Sequence, residues 1–224
     1  MMKKNMWSRW ILALALVWPF MAAAHDRVRE KENFDFDWKF ILNADDRANA
    51  GMQVSEAGWQ DVQLPHDWSI SLNFDPKLSG SNGHLPGGIG WYRKTFRVDK
   101  KDKGRRIAVL FDGIYSRSDV YVNGQHLGFR PYGFCYQEYD LTPYLNYGAE
   151  NVLAVRVNNP LEHDSVARWY TGAGIYRHAW LVKTAEVHVA SYGTYVTTPV
   201  VTAERAEVRV RTSVANEAER TKTL

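Results

Sequence analysis

Apolar and polar residues alternate along this chain in short runs broken by turn signals, and no segment sustains a helical period. In 91–98, WYRKTFRV, one face carries Tyr92, Lys94, Phe96 and Val98 and the other Arg93, Thr95 and Arg97, which is the period of an extended strand. The run RIAVLFDG at 106–113 is almost continuously apolar and ends in Asp-Gly, which predicts a strand buried on both faces. In DVYVNGQHLG, 119–128, the dipeptide Asn123-Gly124 lies between apolar flanks and predicts a two-residue hairpin turn. Further strands are predicted at 151–157, 178–183 and 185–190. Short strands at this spacing predict an all-β fold, a β-sandwich or jelly roll.

Between Val54 and Leu85 the regularity is lost among prolines, glycines and asparagines. This stretch reads as long ordered loops lying across the sandwich, and loops of such length in a compact domain usually carry function. Around Lys183 to Val187 the character changes again, and the remaining residues supply about three strands, fewer than the seven of a complete sandwich. The expected organisation is a first β domain over 25–184 and the start of a second, truncated, over 185–224.

The N-terminus has lysines at 3 and 4, an apolar stretch from Ile11 to Met21 and the tripeptide Ala22-Ala23-Ala24. It reads as a signal peptide over 1–24, so the protein is expected to be exported, periplasmic or secreted, and free of the membrane after cleavage. The apolar run is shorter than the roughly 20 residues of a spanning helix and contains Pro19.

With 224 residues, 45% of them hydrophobic, the chain can bury a core for one full domain and part of another. Aromatics make up 13%, including nine Trp and twelve Tyr, rings that fill cores or serve as stacking platforms for ligands. The net charge of +3 is too small and too scattered for a nucleic-acid partner. The one charged run, DKKDKGRR at 99–106, alternates in sign and reads as a solvated turn. A single cysteine, Cys135, forms no internal disulfide. The histidines are dispersed without ligand spacing, so no metal site is expected. The glycine-rich LPGGIGW at 85–91 leads into a strand, not a helix, and lacks the dipole that would hold phosphate. No cofactor is expected.

Three places invite chemistry. His66 and Asp67 in LPHDWS could pair, but neighbours on an extended chain point in opposite directions and no nucleophile motif accompanies them, so a structural or substrate-loop role is preferred. Glu138 and Asp140 have a spacing that a glycosidase carboxylate pair could use, yet Asp140 before Leu-Thr-Pro reads more simply as a turn or cap. In RWYTGAGIYR, 168–177, Arg168 offers a fork of donors and Trp169 and Tyr170 offer flat faces suited to a pyranose, while Gly172 and Gly174 permit a tight turn. Residue chemistry leaves this segment open between ligand wall and turn.

The blocks FDFDWKF (34–40), WQDVQLPHDWS (59–69), GGIGWYRKTF (87–96), LFDGIYSRSDVYVNGQHLG (110–128), YDLTPYL (139–145), NNP (158–160) and RWYTGAGIYRHAWL (168–181) keep a definite order and spacing. Together they resemble the N-terminal sugar-binding domain of glycoside hydrolase family 2, in the style of the bacterial β-galactosidases. The resemblance implies a galactose-binding-like jelly roll, then an immunoglobulin-like sandwich, then a (β/α)₈ barrel whose two glutamates cleave terminal β-glycosides with retention. The strands after Lys183 resemble the opening of that second sandwich. The barrel is then a missing C-terminal partner, no catalytic residue is assigned here, and the fragment alone is expected to be inactive.

The same resemblance implies that loops of the first domain reach the substrate, which makes Arg168, Trp169 and Tyr170, with His66 and Asp67, the expected substrate-binding residues. The family often has an acidic residue where this chain has Arg168, and some relatives an asparagine where it has Gly87, so the choice among galactose, glucuronic acid and mannose stays open. A non-catalytic carbohydrate-binding module or lectin is the alternative.

Overall fold

The computed structural model describes residues 29–42, 44–159, 169–218 and 220–221. The N-terminal segment and Arg168 lie outside the described residues. Among these residues no helix is long and apolar enough to cross a membrane.

The fold is all-β, with only short 3-10 turns between strands. A four-stranded antiparallel sheet has the order β1 (Arg29–Asn33), β10 (Ala179–Thr184), β5 (Arg106–Phe111), β8 (Gln137–Asp140). A six-stranded sheet has the order β3 (Gln60–Val62), β2 (Trp38–Leu42), β4 (Gly88–Arg97), β9 (Glu150–Asn159), β6 (Ser118–Val122), β7 (Gln125–Arg130). Between the two sheets lies a core of Trp38, Phe40, Tyr92, Phe96, Ile107, Val109, Val120, Val155 and Leu181, among others. This is the β-sandwich expected from the strand spacing. A separate two-stranded sheet follows, β11 (Val187–Val201) with β12 (Ala206–Asn216).

The strand β4 shows how period-two patterning becomes structure. It pairs with β9 from Gly88↔Asn159 to Arg97↔Glu150, and Tyr92 and Phe96 enter the core. Lys94 is on the same side, its Nζ donating to the Phe36 carbonyl at 2.5 Å and lying 4.6 Å from the centre of the Phe34 ring. The opposite face, which alternation alone would leave to solvent, is covered by the 44–59 segment. Arg93 is 1% exposed there and donates to Glu56 Oε1 at 3.0 Å and to the carbonyls of Asn49 and Gly51 at 2.5 and 2.7 Å. Arg156 on β9 pairs with Asp45 at 2.8 Å, and Trp91, Tyr121, Ala154 and Ala50 form a small second cluster beside these charges.

The Asn123-Gly124 turn forms as expected, with positive φ of 51° and 83° at its two central residues, the signature of a type I′ hairpin. The Asn123 side chain donates to Asn151 Oδ1 at 2.8 Å and accepts from the Val152 amide at 2.8 Å, which ties the tip to β9. Two expectations change. The Val54–Leu85 stretch contains β3, which pairs Val62 with Trp38, a strand of three residues too short to produce a period. The 99–106 run is also more than a solvated turn, since Asp102 is buried against Lys183 Nζ at 3.1 Å and Arg105 at 3.3 Å, and Arg106 pairs with Glu138 at 2.8 Å. Burial pushes the Asp102 carboxyl up, but Lys183 and Arg105 outweigh it and hold the group below its ordinary range.

In the β11–β12 pair, the register sets Val189 opposite Val214 and Val196 opposite Val210 on one face, and Tyr195 opposite Arg211 on the other. The valine face is open to solvent, with Val196 55% and Val210 62% exposed. The pair is attached to the sandwich by Arg106 to Glu217 at 3.1 Å, by Tyr136 and Tyr192 with ring centres 4.5 Å apart, and by the Arg29 guanidinium on the Val189 carbonyl.

Candidate functional site

The segment 170–178 runs as a rung between two other loops, with Ala173 and Ile175 buried in the core. On one side Gly174 exchanges backbone hydrogen bonds with Tyr115, at 2.9 and 2.8 Å. On the other, the His66 amide donates to the Ile175 carbonyl at 2.8 Å and the Trp68 amide to the Ala173 carbonyl at 3.3 Å. Only glycine suits the centre of the rung: Gly174 has φ of 109°, and a Cβ there would lie 2.8 Å from the His66 carbonyl oxygen. The sequence thus brings LPHDW and RWYTGAGIYR together although about a hundred residues separate them.

His66 and Asp67 point to opposite sides of their extended backbone, as the chain geometry requires. His66 turns inward, its ring 4.8 Å centre to centre from Phe40 and its Nδ1 2.8 Å from the Tyr92 hydroxyl. Burial pushes the His66 imidazole below its usual range, and the nearby Asp67 carboxylate opposes that in part. The two residues therefore do not form a dyad.

Asp67 turns toward the rung. Its Oδ1 accepts from the Ser69 amide at 3.0 Å and the Ala173 amide at 3.1 Å, while Oδ2 accepts from the Tyr170 hydroxyl. Burial, and then this carboxylate, pushes the Tyr170 phenol far up, so it stays a neutral donor. Ser69 Oγ in turn donates to the Pro86 carbonyl at 2.6 Å, which joins the 85–90 loop to the same cluster. The Asp67 carboxylate thus clamps two chain segments and Ser69 Oγ joins a third, while Trp169, next to Tyr170 in the chain, is 62% exposed.

Of the sequence-predicted residues, the structure joins Asp67 to Tyr170, turns the His66 ring away toward Phe40 and Tyr92, leaves Trp169 exposed, and does not describe Arg168. Glu138 is held by Arg106 at 2.8 Å, and Asp140 accepts from the Thr142 amide at 3.0 Å, the turn role read from Asp-Leu-Thr-Pro. Tyr92, Ser69 and Tyr115 belong to the site's frame. Tyr92 could be read from the sequence only as an inward-facing strand residue, and nothing in the sequence links Ser69 or Tyr115 to the rung. Among the described residues no group of three or more His, Cys, Asp or Glu could hold a metal ion.

Residues 32–185 match the family model described as the sugar binding domain of glycosyl hydrolases family 2. The chain is similar to the β-galactosidase BoGH2A of Bacteroides ovatus, 46% identical over 199 residues, or 85% of this chain and 22% of that protein. It is also 34% identical over 209 residues to a putative β-glucuronidase of Formosa agariphila, covering 92% of this chain and 20% of that one. Among solved structures, a glycosyl hydrolase family 2 member from Bacteroides cellulosilyticus superimposes with a TM-score of 0.74 at 41% identity, over 83% of this chain and 24% of the other. The chain spans about a fifth of the length of these curated relatives.

Proposed function

The chain belongs to glycosyl hydrolase family 2, and from that premise we propose that it is the N-terminal sugar-binding part of an exported β-galactosidase-type enzyme that hydrolyses terminal β-glycosides. The observation that carries this is the clamp at Asp67, which fixes the 66–69 and 170–173 loops against each other, next in the chain to the exposed Trp169. In this reading Trp169 and Tyr170 supply flat faces to the apolar side of a pyranose and Arg168 supplies donors to its hydroxyls. His66 and Asp67 act by positioning those loops. Residues 25–184 form the sugar-binding domain, and 185–224 begin an immunoglobulin-like domain.

Retaining hydrolysis needs two carboxyl groups about 5 Å apart, one as nucleophile and one as acid and base. In this chain the carboxylates of Asp67, Glu138 and Asp140 are occupied by structural donors. The family resemblance implies that the catalytic pair is supplied by a barrel, and the fifth of the length that the chain covers in its relatives supports that reading. The purified chain is expected to release no nitrophenol from an aryl β-galactoside, and release above a contaminant control contradicts the assignment. Export follows from the leader-like segment at 1–24, and N-terminal sequencing of the exported product is expected to begin at His25, not Met1.

A uronic-acid preference is the second reading. Arg168 favours it, because a guanidinium pairs with a carboxylate through two parallel hydrogen bonds, and so does the similarity to the Formosa protein. A tighter response of Trp169 fluorescence to glucuronate than to galactose would select it.

A further inference from the structure

Asn-Gly occurs twice in the chain, at Asn82-Gly83 and at Asn123-Gly124. The dipeptide is chemically weak, because a glycine amide nitrogen, unshielded by any side chain, can attack the side-chain carbon of the asparagine before it. Whether it does so depends on how firmly the two groups are held, and the fold holds the two sites very differently.

At Asn123 the whole side-chain amide is engaged. Its Nδ2 donates to the Tyr144 carbonyl at 2.7 Å and to Asn151 Oδ1 at 2.8 Å, and its Oδ1 accepts from the Val152 amide at 2.8 Å. The Asn123 backbone amide donates in turn to the Val152 carbonyl at 2.8 Å. The side-chain carbon reaches the Gly124 nitrogen only if all three side-chain bonds open.

Asn82 has one long contact, from Nδ2 to the Leu85 carbonyl at 3.4 Å, and its buried Oδ1 has no hydrogen-bond partner. The nucleophile is guarded by a single backbone bond, from the Gly83 amide to the Gly80 carbonyl at 3.0 Å. Opening that bond disturbs no tie to the sandwich. Among the described residues each hydrogen bond of the 75–85 segment ends inside it, as in Asp75 to His84 and His84 to Ser79. Gly83 is exposed, with φ of 67° and open space where a Cβ would stand, so solvent reaches its amide. A turn closed only on itself opens at much lower cost than a hairpin tied to the core.

We propose that Asn82-Gly83 is a site of spontaneous covalent modification, at which Asn82 converts to aspartate and isoaspartate while Asn123-Gly124 stays intact. The Gly83 nitrogen gives its proton to solvent base and bonds to Asn82 Cγ. The Cγ–Nδ2 bond breaks, and the amide nitrogen takes a proton from solvent and leaves as ammonia. The resulting succinimide adds water: opening at Cγ leaves aspartate, and opening at the Asn82 backbone carbonyl carbon leaves isoaspartate, with the chain then running through the side-chain carbons. Nothing is oxidised or reduced, and water is the one co-reactant. The proposal does not depend on the sugar-binding reading. Its product bears on that reading, because a carboxylate at position 82 no longer donates to Leu85, the neighbour of Pro86, whose carbonyl Ser69 joins to the Asp67 clamp.

The test is incubation of the full chain in mildly alkaline buffer, folded and in urea, followed by tryptic digestion and mass spectrometry with fragmentation that separates isoaspartate from aspartate. The tryptic peptides 78–93 and 118–156 carry the two sites. In the folded chain Asn82 is expected to convert at least about tenfold faster than Asn123, because freeing Asn123 breaks two more side-chain hydrogen bonds. In urea the gap is expected to close. Gly83→Ala, whose added methyl hinders the attack, is expected to slow conversion at Asn82 and leave Asn123 as it was. Equal rates in the folded chain, or a faster Asn123, overturn the proposal, as does an Asn82 that converts in urea but not in the folded chain. A gap that persists in urea also overturns it, since neighbouring residues and not the fold would then set the order. So does undiminished conversion in Gly83→Ala, since the attack would then not come from that nitrogen.

Discussion

Asp67 has an ordinary place in the sequence, one acidic residue in a loop, and its importance comes from the donors that converge on it. Replacing it by alanine strands the Ser69 and Ala173 amides and the Tyr170 hydroxyl. The expected cost is about 1–3 kcal/mol, read from urea midpoints, and a change below a few tenths would mean that the clamp is not formed in solution. His66 makes a different prediction. Its folded pKa lies below its unfolded value, so the unfolded chain takes up the proton first and stability falls as pH drops below about 6.5. Above that pH the effect vanishes. The His66→Gln variant should show a shallower loss of stability between pH 7 and 5 than the unaltered chain, and parallel profiles would contradict the burial. On the outer face, Arg93→Leu leaves Glu56 and the Asn49 and Gly51 carbonyls without their donor and is expected to cost about 1–3 kcal/mol, because these partly exposed groups can turn to water. These residues were legible as types in a pattern. Their partners were not, because Tyr92, Ser69 and Glu56 are linked to them only through the fold.

At the scale of elements, strands with strong periods or continuous apolar runs were read correctly from the chain. β4, β5, β9 and β10 bury large side chains on at least one face, so packing and pattern agree. The hairpin at Asn123-Gly124 was legible because two positive φ values there demand such residues. β3 escaped because an edge strand of three residues carries no period. The covering of the outward face of β4 was not legible, because charge alternation looks the same whether or not a distant segment such as 44–59 folds over it. The β11–β12 pair follows the pattern, but among the described residues no layer covers its valines, and an open apolar sheet face invites association. A polypeptide ending at Ala185 is expected to remain monomeric at concentrations where the full chain associates, as measured by light scattering. The reverse order would show that the valine face is harmless.

Over the described residues a two-sheet sandwich with an attached β11–β12 pair carries a cluster of joined loops. The 85–87 loop, the 66–69 loop, the rung at 170–178 and the loop at 131–136 meet there through backbone and side-chain hydrogen bonds. Such an arrangement suits a module that shapes one side of a sugar pocket while other parts of an enzyme perform the chemistry. Family and fold were legible because seven sequence blocks carry the framework. The role of each loop was less so, since a clamp and a ligand wall use the same residue types. The most direct test is a chimera in which residues 29–184 replace the matching segment of the Bacteroides ovatus β-galactosidase, with kcat/KM measured on an aryl β-galactoside before and after Trp169→Ala. The account predicts an active chimera whose kcat/KM falls by about tenfold or more on that substitution, a loss of at least about 1.4 kcal/mol of transition-state binding. An active chimera indifferent to Trp169→Ala would contradict it.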